Sequence, residues 1–314
     1  MTAVPQKFLF IGAGGIGGYY AARLFDAGHD VVVTARGAHL EAIRANGLRV
    51  CHDGRTRICD LPAHDHGSLT QAYRSDDFDL IVVTVKSTAT EPVLQELGDW
   101  LSSGSVPVLS LQNGVDNESR IADRLGEHRV IGGLAVKIGG NIRQPGEVYA
   151  EGEAQVIMGA WPRRAPFHDP RSPLLARVHD AFNNAGIPTT VSDDIRHELW
   201  RKLVINNGVN PLSALTGLDT RSLTSHPELR RVVYGMMAET IAASRADGVN
   251  LDQQDLDEMF HLISSFNAIK TSMLVDKEKG RPLELDSIAG AVLARCQRLG
   301  LDCPYTFTVA ALLR

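Results

Sequence analysis

The chain has 314 residues, 44% hydrophobic and 22% charged, with no low-complexity tract; it can bury a full core and exceeds the roughly 100–200 residues of one domain. Two domains sharing a cleft are therefore expected. A formal net charge of −5 without any block of like charges excludes the electrostatic footprint of a nucleic-acid or anionic-membrane binder. The four cysteines, Cys51, Cys59, Cys296 and Cys303, form no C-x-x-C pair and no metal-ligand spacing with the histidines, so they read as reduced thiols of a cytoplasmic protein with no metal site. Residues 1–6 lack the basic start of a signal peptide, and no apolar run approaches the roughly 20 residues needed to span a bilayer.

In chain order, Lys7–Ile11 is a short apolar strand, followed by glycines and by a helix through Tyr19–Phe25 that ends near Gly28. Asp30–Thr34 is the next strand. Phe78–Val85 and Val106–Leu111 repeat the unbroken Val/Ile/Leu pattern of a parallel sheet buried on both faces. Each strand ends in a polar or glycine-rich turn, and open parallel sheets bind ligands off those ends. Trp161–Ser172, rich in Pro and Arg, reads as a loop between strands, and Ile187–Val191 as the last strand. After Asp193-Asp194 the pattern turns helical. Ser225 and Glu228 have capping-box spacing ahead of Leu229, Val232, Val233, Met236, Met237 and Ile241, a run that Gly248 stops. The expected architecture is an α/β Rossmann domain with a parallel dinucleotide-binding sheet over residues 1–190, then a mainly α-helical substrate and catalytic domain over 191–314.

Gly12-Ala13-Gly14-Gly15-Ile16-Gly17 is a G-x-G-x-x-G run between strand and helix. The first glycine permits the tight turn, the second admits a pyrophosphate to the backbone, and the third lets helix and strand pack closely. The helix start then offers N–H groups to the phosphates. A cofactor lacking a 2′-phosphate is normally held by a carboxylate after the second strand; here that strand ends Thr34-Ala35-Arg36, and a guanidinium favours a 2′-phosphate. NADPH is therefore the expected cofactor, with Lys86 as a second candidate for its phosphate or adenine end. The bland alternatives are an ordinary surface arginine and a solvated lysine.

A ketone that accepts hydride needs a proton donor at its oxygen and fixed partners elsewhere. Lys202, Asn206 and Asn210 stand at i, i+4 and i+8, one row of a helix that advances only about 40° per step. Ile195, Leu199 and Leu203 make the neighbouring apolar row. A solvated stripe with Glu198 paired to Lys202 is the alternative, yet two poor helix formers in one interior row suggest a use other than stability.

With these segments the sequence resembles the ketopantoate reductases (2-dehydropantoate 2-reductases) nearly end to end. The resemblance runs through the Gly12–Gly18 loop, Arg36, the Val85-Lys86-Ser87 and Leu111-Gln112-Asn113-Gly114 turns, and Lys202–Pro211. It continues in Thr271-Ser272-Met273-Leu274, Asp276, Glu284 and Cys303-Pro304. The resemblance implies NADPH-dependent reduction of 2-dehydropantoate to pantoate, in pantothenate biosynthesis. It casts Lys202 as general acid, Asn206 and Asn210 as substrate-orienting amides, and Asn113 as the residue between nicotinamide and substrate. Ser272 would bind the substrate carboxylate, Glu284 would complete the catalytic network, and Gly12, Gly14, Gly15, Ile16, Gly17, Arg36 and Lys86 would hold the cofactor. Glu284 also reads as a surface carboxylate pairing with Lys279 or Arg281. A homodimer is left open.

Ile269, Thr220 and Val275 depart from the family pattern, which has asparagine at or near the first two positions and commonly glutamine at the third. Lost polar contacts to a substrate hydroxyl cost discrimination, so another small 2-keto acid is the competing substrate, and an NADP-binding regulator without turnover the competing class.

Overall fold

A computed structural model of the chain describes residues 5–162 and 169–314. The chain packs as two compact units: one takes the chain up to Gln112 and Asn117–Ile195, the other Asn113–Asp116 and Arg196–Arg314.

The first unit runs β1 (Lys7–Ile11), α1 (Gly15–Asp26), β2 (Asp30–Thr34), α2 (Gly37–Asn46), β3 (Leu48–His52), β4 (Arg55–Cys59), β5 (Ala63–His64), α3 (His66–Ala72) and β6 (Leu80–Val83). It continues with α4 (Thr90–Ser102), β7 (Val108–Ser110), α5 (Asn117–Leu125), β8 (Val130–Val136), β9 (Gly139–Gln144), β10 (Glu147–Glu151), β11 (Gln155–Ala160), α6 (Ser172–Asn184) and β12 (Thr189–Val191). The expected strands over Phe78–Val85, Val106–Leu111 and Ile187–Val191 are present but shorter. Of the expected Trp161–Ser172 loop, residues 163–168 lie outside the described residues.

Among the described residues, an eight-stranded sheet has the order β12-β11-β8-β7-β6-β1-β2-β5. Its pairings are parallel except that of β8 with β11. The continuous apolar character of β1 follows from burial on both faces: Phe8 and Phe10 pack with Tyr20 of α1 and Phe182 of α6, Leu9 and Ile11 with Leu97 of α4 and Ile121 of α5. Each such side chain contributes about 1.5–3 kcal/mol on leaving water. After β1 the chain builds one way through β2 and β5, then returns to build the other way through β6, β7 and β8. The carboxyl ends of β1 and β6 therefore flank the point where strand order reverses, the place where open parallel sheets bind ligands.

A second sheet, β4-β3-β10-β9, has no counterpart among the elements read from the sequence. Asp53 and Gly54, both at positive φ, make the two-residue turn from β3 to β4. The β3 strand then pairs in parallel with β10, a partner far along the chain.

Besides Asn113–Asp116, the second unit takes α7 (Ile195–Thr216) from Arg196 onward, then α8 (Thr220–Ser225), α9 (Pro227–Ser244), α10 (Gln253–Ser265), α11 (Ser272–Glu278), α12 (Ala291–Leu299) and α13 (Pro304–Leu313). Asn207 of α7, fully buried, donates to Thr240 Oγ1 of α9 and Thr306 Oγ1 of α13, both at 3.0 Å. Glu239 of α9 caps α13 by accepting from the N–H groups of Tyr305 and Thr306 at 2.8 and 2.7 Å.

Two expectations are corrected in this unit. The cap of α9 is His226, whose Nδ1 accepts from Glu228 N at 3.3 Å, rather than Ser225, whose hydroxyl donates to the Arg221 carbonyl and closes α8. Cys296 and Cys303 form a disulfide between the end of α12 and the start of α13, so only Cys51 and Cys59 remain free thiols. Burial pushes the Cys59 thiol up to about 11. No helix among the described residues is long and apolar enough to cross a membrane.

Candidate cofactor and catalytic site

The glycine loop joins β1 to α1 and is held by hydrogen bonds to both neighbouring strands. Gly12 N donates to Thr34 Oγ1 at 3.0 Å, Ala13 N to the Thr34 carbonyl at 2.7 Å, and Thr84 Oγ1 to the Gly12 carbonyl at 2.7 Å. His39 Nδ1 accepts from Gly146 N at 2.9 Å, so its Nε2 carries the proton donated to the Ala13 carbonyl at 2.8 Å. Nothing in the sequence marks His39 for this contact, and for Thr34 and Thr84 the only signal is their position at strand ends beside the motif.

Each glycine has its own physical reason. Gly12 sits at φ +107, which a side chain rarely tolerates. A Cβ on Gly17 would lie 2.1 Å from the Gly12 carbonyl oxygen, and one on Gly15 would lie 2.1 Å from the Gly140 carbonyl carbon. A Cβ on Gly14 would meet nothing within 4 Å. Gly14 is also the N-cap of α1 and supplies no capping side chain, and the first turn holds no acidic residue. An uncapped helix start beside open space suits the pyrophosphate of a dinucleotide, so the residues present fit that group. Arg36, exposed at the N-cap of α2, and Lys86, exposed after β6, stand at the ends of the flanking strands.

In the second unit, Lys202, Asn206 and Asn210 share one row of α7, the first two half-buried and Asn210 buried. The adjoining row of Ile195, Leu199 and Leu203 is buried, as its apolar character requires. Asn113 lies on the turn after β7, with Gly114 at φ +98 next to it, and its Nδ2 is 3.5 Å from Glu284 Oε2. Glu284 is 4% exposed, which removes the reading as a surface carboxylate. Ser272 is exposed as the first residue of α11, behind the cap that Thr271 Oγ1 makes with Leu274 N at 3.2 Å. Thr220 is buried: its hydroxyl donates to the Asn267 carbonyl at 3.2 Å and accepts from Ile269 N at 3.3 Å. Val275 is half-buried within α11, and Ile269 is exposed.

Residues 8–163 match the family model of the ketopantoate reductase PanE/ApbA, and residues 194–314 match its C-terminal domain. The chain belongs to the ketopantoate reductase family. That makes it a dinucleotide-binding oxidoreductase. A 2-dehydropantoate 2-reductase of Mesorhizobium japonicum is 32% identical over 98% of this chain and 97% of that one. A PanE/ApbA family ketopantoate reductase of Ralstonia eutropha has a solved structure with 29% identity and a TM-score of 0.85, covering 98% of this chain and 97% of its own. A D-mandelate dehydrogenase solved with NADH and anilino(oxo)acetate superposes at a TM-score of 0.87, covering 98% of this chain and 96% of its own. Its 22% identity shows the shared fold alone.

Proposed function

We propose that the protein reduces 2-dehydropantoate to pantoate with NADPH, a step of pantothenate biosynthesis. The observation that carries the reading is the row of Lys202, Asn206 and Asn210 along α7 in a chain of this family. Gly12, Gly14, Gly15, Ile16 and Gly17 would receive the pyrophosphate, with Arg36 and Lys86 at the phosphate and adenine end. When bound, the reduced nicotinamide supplies hydride to C2 of the keto acid. The Lys202 ammonium donates a proton to the C2 oxygen as negative charge builds there, while Asn206 and Asn210 hold the substrate without competing for that proton. Ser272 accepts the role of carboxylate partner, and the Asn113–Glu284 contact supports a shared role in orienting the reacting groups.

A second reading, reduction of another small 2-keto acid, draws support from Thr220 and Ile269. The Thr220 hydroxyl is engaged with the 267–269 loop, and Ile269 offers no polar group to a substrate hydroxyl. The experiment for the mechanism is Lys202→Ala, expected to lower turnover by about two or more orders of magnitude while NADPH binding persists. Near-normal turnover in that variant would remove Lys202 from the role.

A further inference from the structure

We propose that Arg295 is a positioning residue that fixes the Asn113 turn against Trp200 of α7 and the segment leading from Glu284, all within the second unit. The inference rests on the reading of Asn113, Lys202 and Glu284 given above.

Arg295 projects from α12 with its side chain only 12% exposed. Its Nη2 donates to Asp116 Oδ1 at 2.5 Å, its Nε to Asp247 Oδ2 at 2.8 Å and its Nη1 to the Ala291 carbonyl at 3.3 Å. The guanidinium also lies 5.5 Å from the centre of the Trp200 ring. Burying a guanidinium is costly unless its donors are matched. Here burial opposes the charge, yet the hydrogen bonds that Arg295 donates to Asp116 and Asp247 hold the group above the ordinary arginine range. A planar fork that meets two carboxylates and an aromatic face fixes direction as well as distance, which an ammonium does not.

The partners decide what this fork positions. Asp116 stands three residues after Asn113 across Gly114, whose φ of +98 marks the turn between them. Asn113 meets Glu284 at 3.5 Å, and the chain from Glu284 passes through a π turn at Asp286–Gly290 directly into α12. Trp200, buried, lies two residues before Lys202 on α7. Asp247 is independently held by Arg298 Nη2 at 2.6 Å, and its carbonyl accepts from Arg196, so it is the fixed end of the arrangement. One guanidinium thus touches the turn of Asn113, the helix of Lys202 and, through its own helix, the segment of Glu284. Losing the fork should loosen the turn and leave the dinucleotide loop, in the other unit, as it was.

The test uses Arg295→Met, Arg295→Lys and Asp116→Asn in the full chain. Steady-state kinetics with NADPH and its 4-deuterated form are combined with hydrogen exchange of peptides covering residues 111–116. Arg295→Met and Asp116→Asn are expected to lower kcat by about 10- to 100-fold, raise the deuterium isotope effect on kcat as hydride transfer becomes limiting, and leave the NADPH Kd nearly unchanged. Exchange should quicken at 111–116, and Arg295→Lys should recover part of kcat. A wild-type kcat and isotope effect accompanied only by a lower Tm would overturn the proposal, as would unchanged exchange at 111–116. If the wild-type protein itself turns over no keto acid, the functional reading fails, and the exchange measurement still decides whether Arg295 and Asp116 hold the turn.

Discussion

Arg36 is exposed at the start of α2, two residues beyond the end of β2, near where a dinucleotide ribose is normally read. Charge-assisted hydrogen bonds contribute about 1.5–3 kcal/mol, so Arg36→Ala is expected to weaken NADPH binding by about 10- to 100-fold and NADH binding far less. Fluorescence titration with each dinucleotide checks this; equal losses would contradict the 2′-phosphate role. The position of Arg36 just after β2 was legible because the strand and the glycine loop lie close by in sequence. His39 was not, since its bonds to Ala13 and Gly146 join residues brought together only by folding. Arg129 and Arg171 were equally opaque. Arg129 donates to the Leu101 and Val106 carbonyls, and Arg171 to those of Glu127, Val130 and Trp161. They gather backbone carbonyls from several elements and the turns between them, and nothing in their sequence surroundings distinguishes them from solvated arginines.

At the scale of elements, the junction of β1 and α1 separates two functions of glycine. Gly17→Ala forces a Cβ to within 2.1 Å of the Gly12 carbonyl oxygen, so α1 must move off the sheet. The variant is expected to lose about 1–3 kcal/mol of stability together with dinucleotide binding. Gly14→Ala meets open space, so it should melt near the wild-type temperature while binding NADPH more weakly. Thermal denaturation and titration of both variants check the contrast, and a Gly14→Ala protein that binds normally would contradict the pyrophosphate assignment. The parallel strands were legible because burial on both faces leaves unbroken apolar runs. The β3-β4-β10-β9 sheet was hidden because Arg55, Thr56, Arg57 and Ile58 are all exposed, so β4 has no alternation to read. The capping box at Ser225 failed for a related reason. Two helices abut there, and spacing alone does not tell the last residue of one from the cap of the next.

For the molecule as a whole, acid stability is set in part by two histidines that fold neutral. Burial lowers the pKa of His29, whose Nδ1 accepts from Gln6 N at 3.1 Å; burial and then the Arg44 charge lower that of His64. In the unfolded chain both titrate near the ordinary value of about 6.5, so the unfolded state binds more protons below it. Their contribution is complete above about pH 6.5 and is lost as pH falls through that value towards the folded pKa values. The Tm is expected to fall between about pH 7.5 and pH 5, and replacing both residues by Gln should flatten that slope. An unchanged slope in the double variant would contradict the assignment.

The strand-to-helix setting of the glycine loop and the row along α7 were legible because each repeats a local rule of spacing, whereas a single boundary after residue 190 misses Asn113–Asp116, which pack with the second unit. The pairing of Cys296 with Cys303 and the contacts of Asn113 and Asp116 were not legible, since they arise where separate stretches of chain meet. The reduction of 2-dehydropantoate by NADPH is read from the loss of reduced-nicotinamide absorbance when the purified protein meets both, beside NADH and a panel of other small 2-keto acids. Saturable oxidation of NADPH by 2-dehydropantoate, well above the panel and above NADH, is the predicted result. Turnover of a different keto acid alone, or none despite NADPH binding, would contradict it.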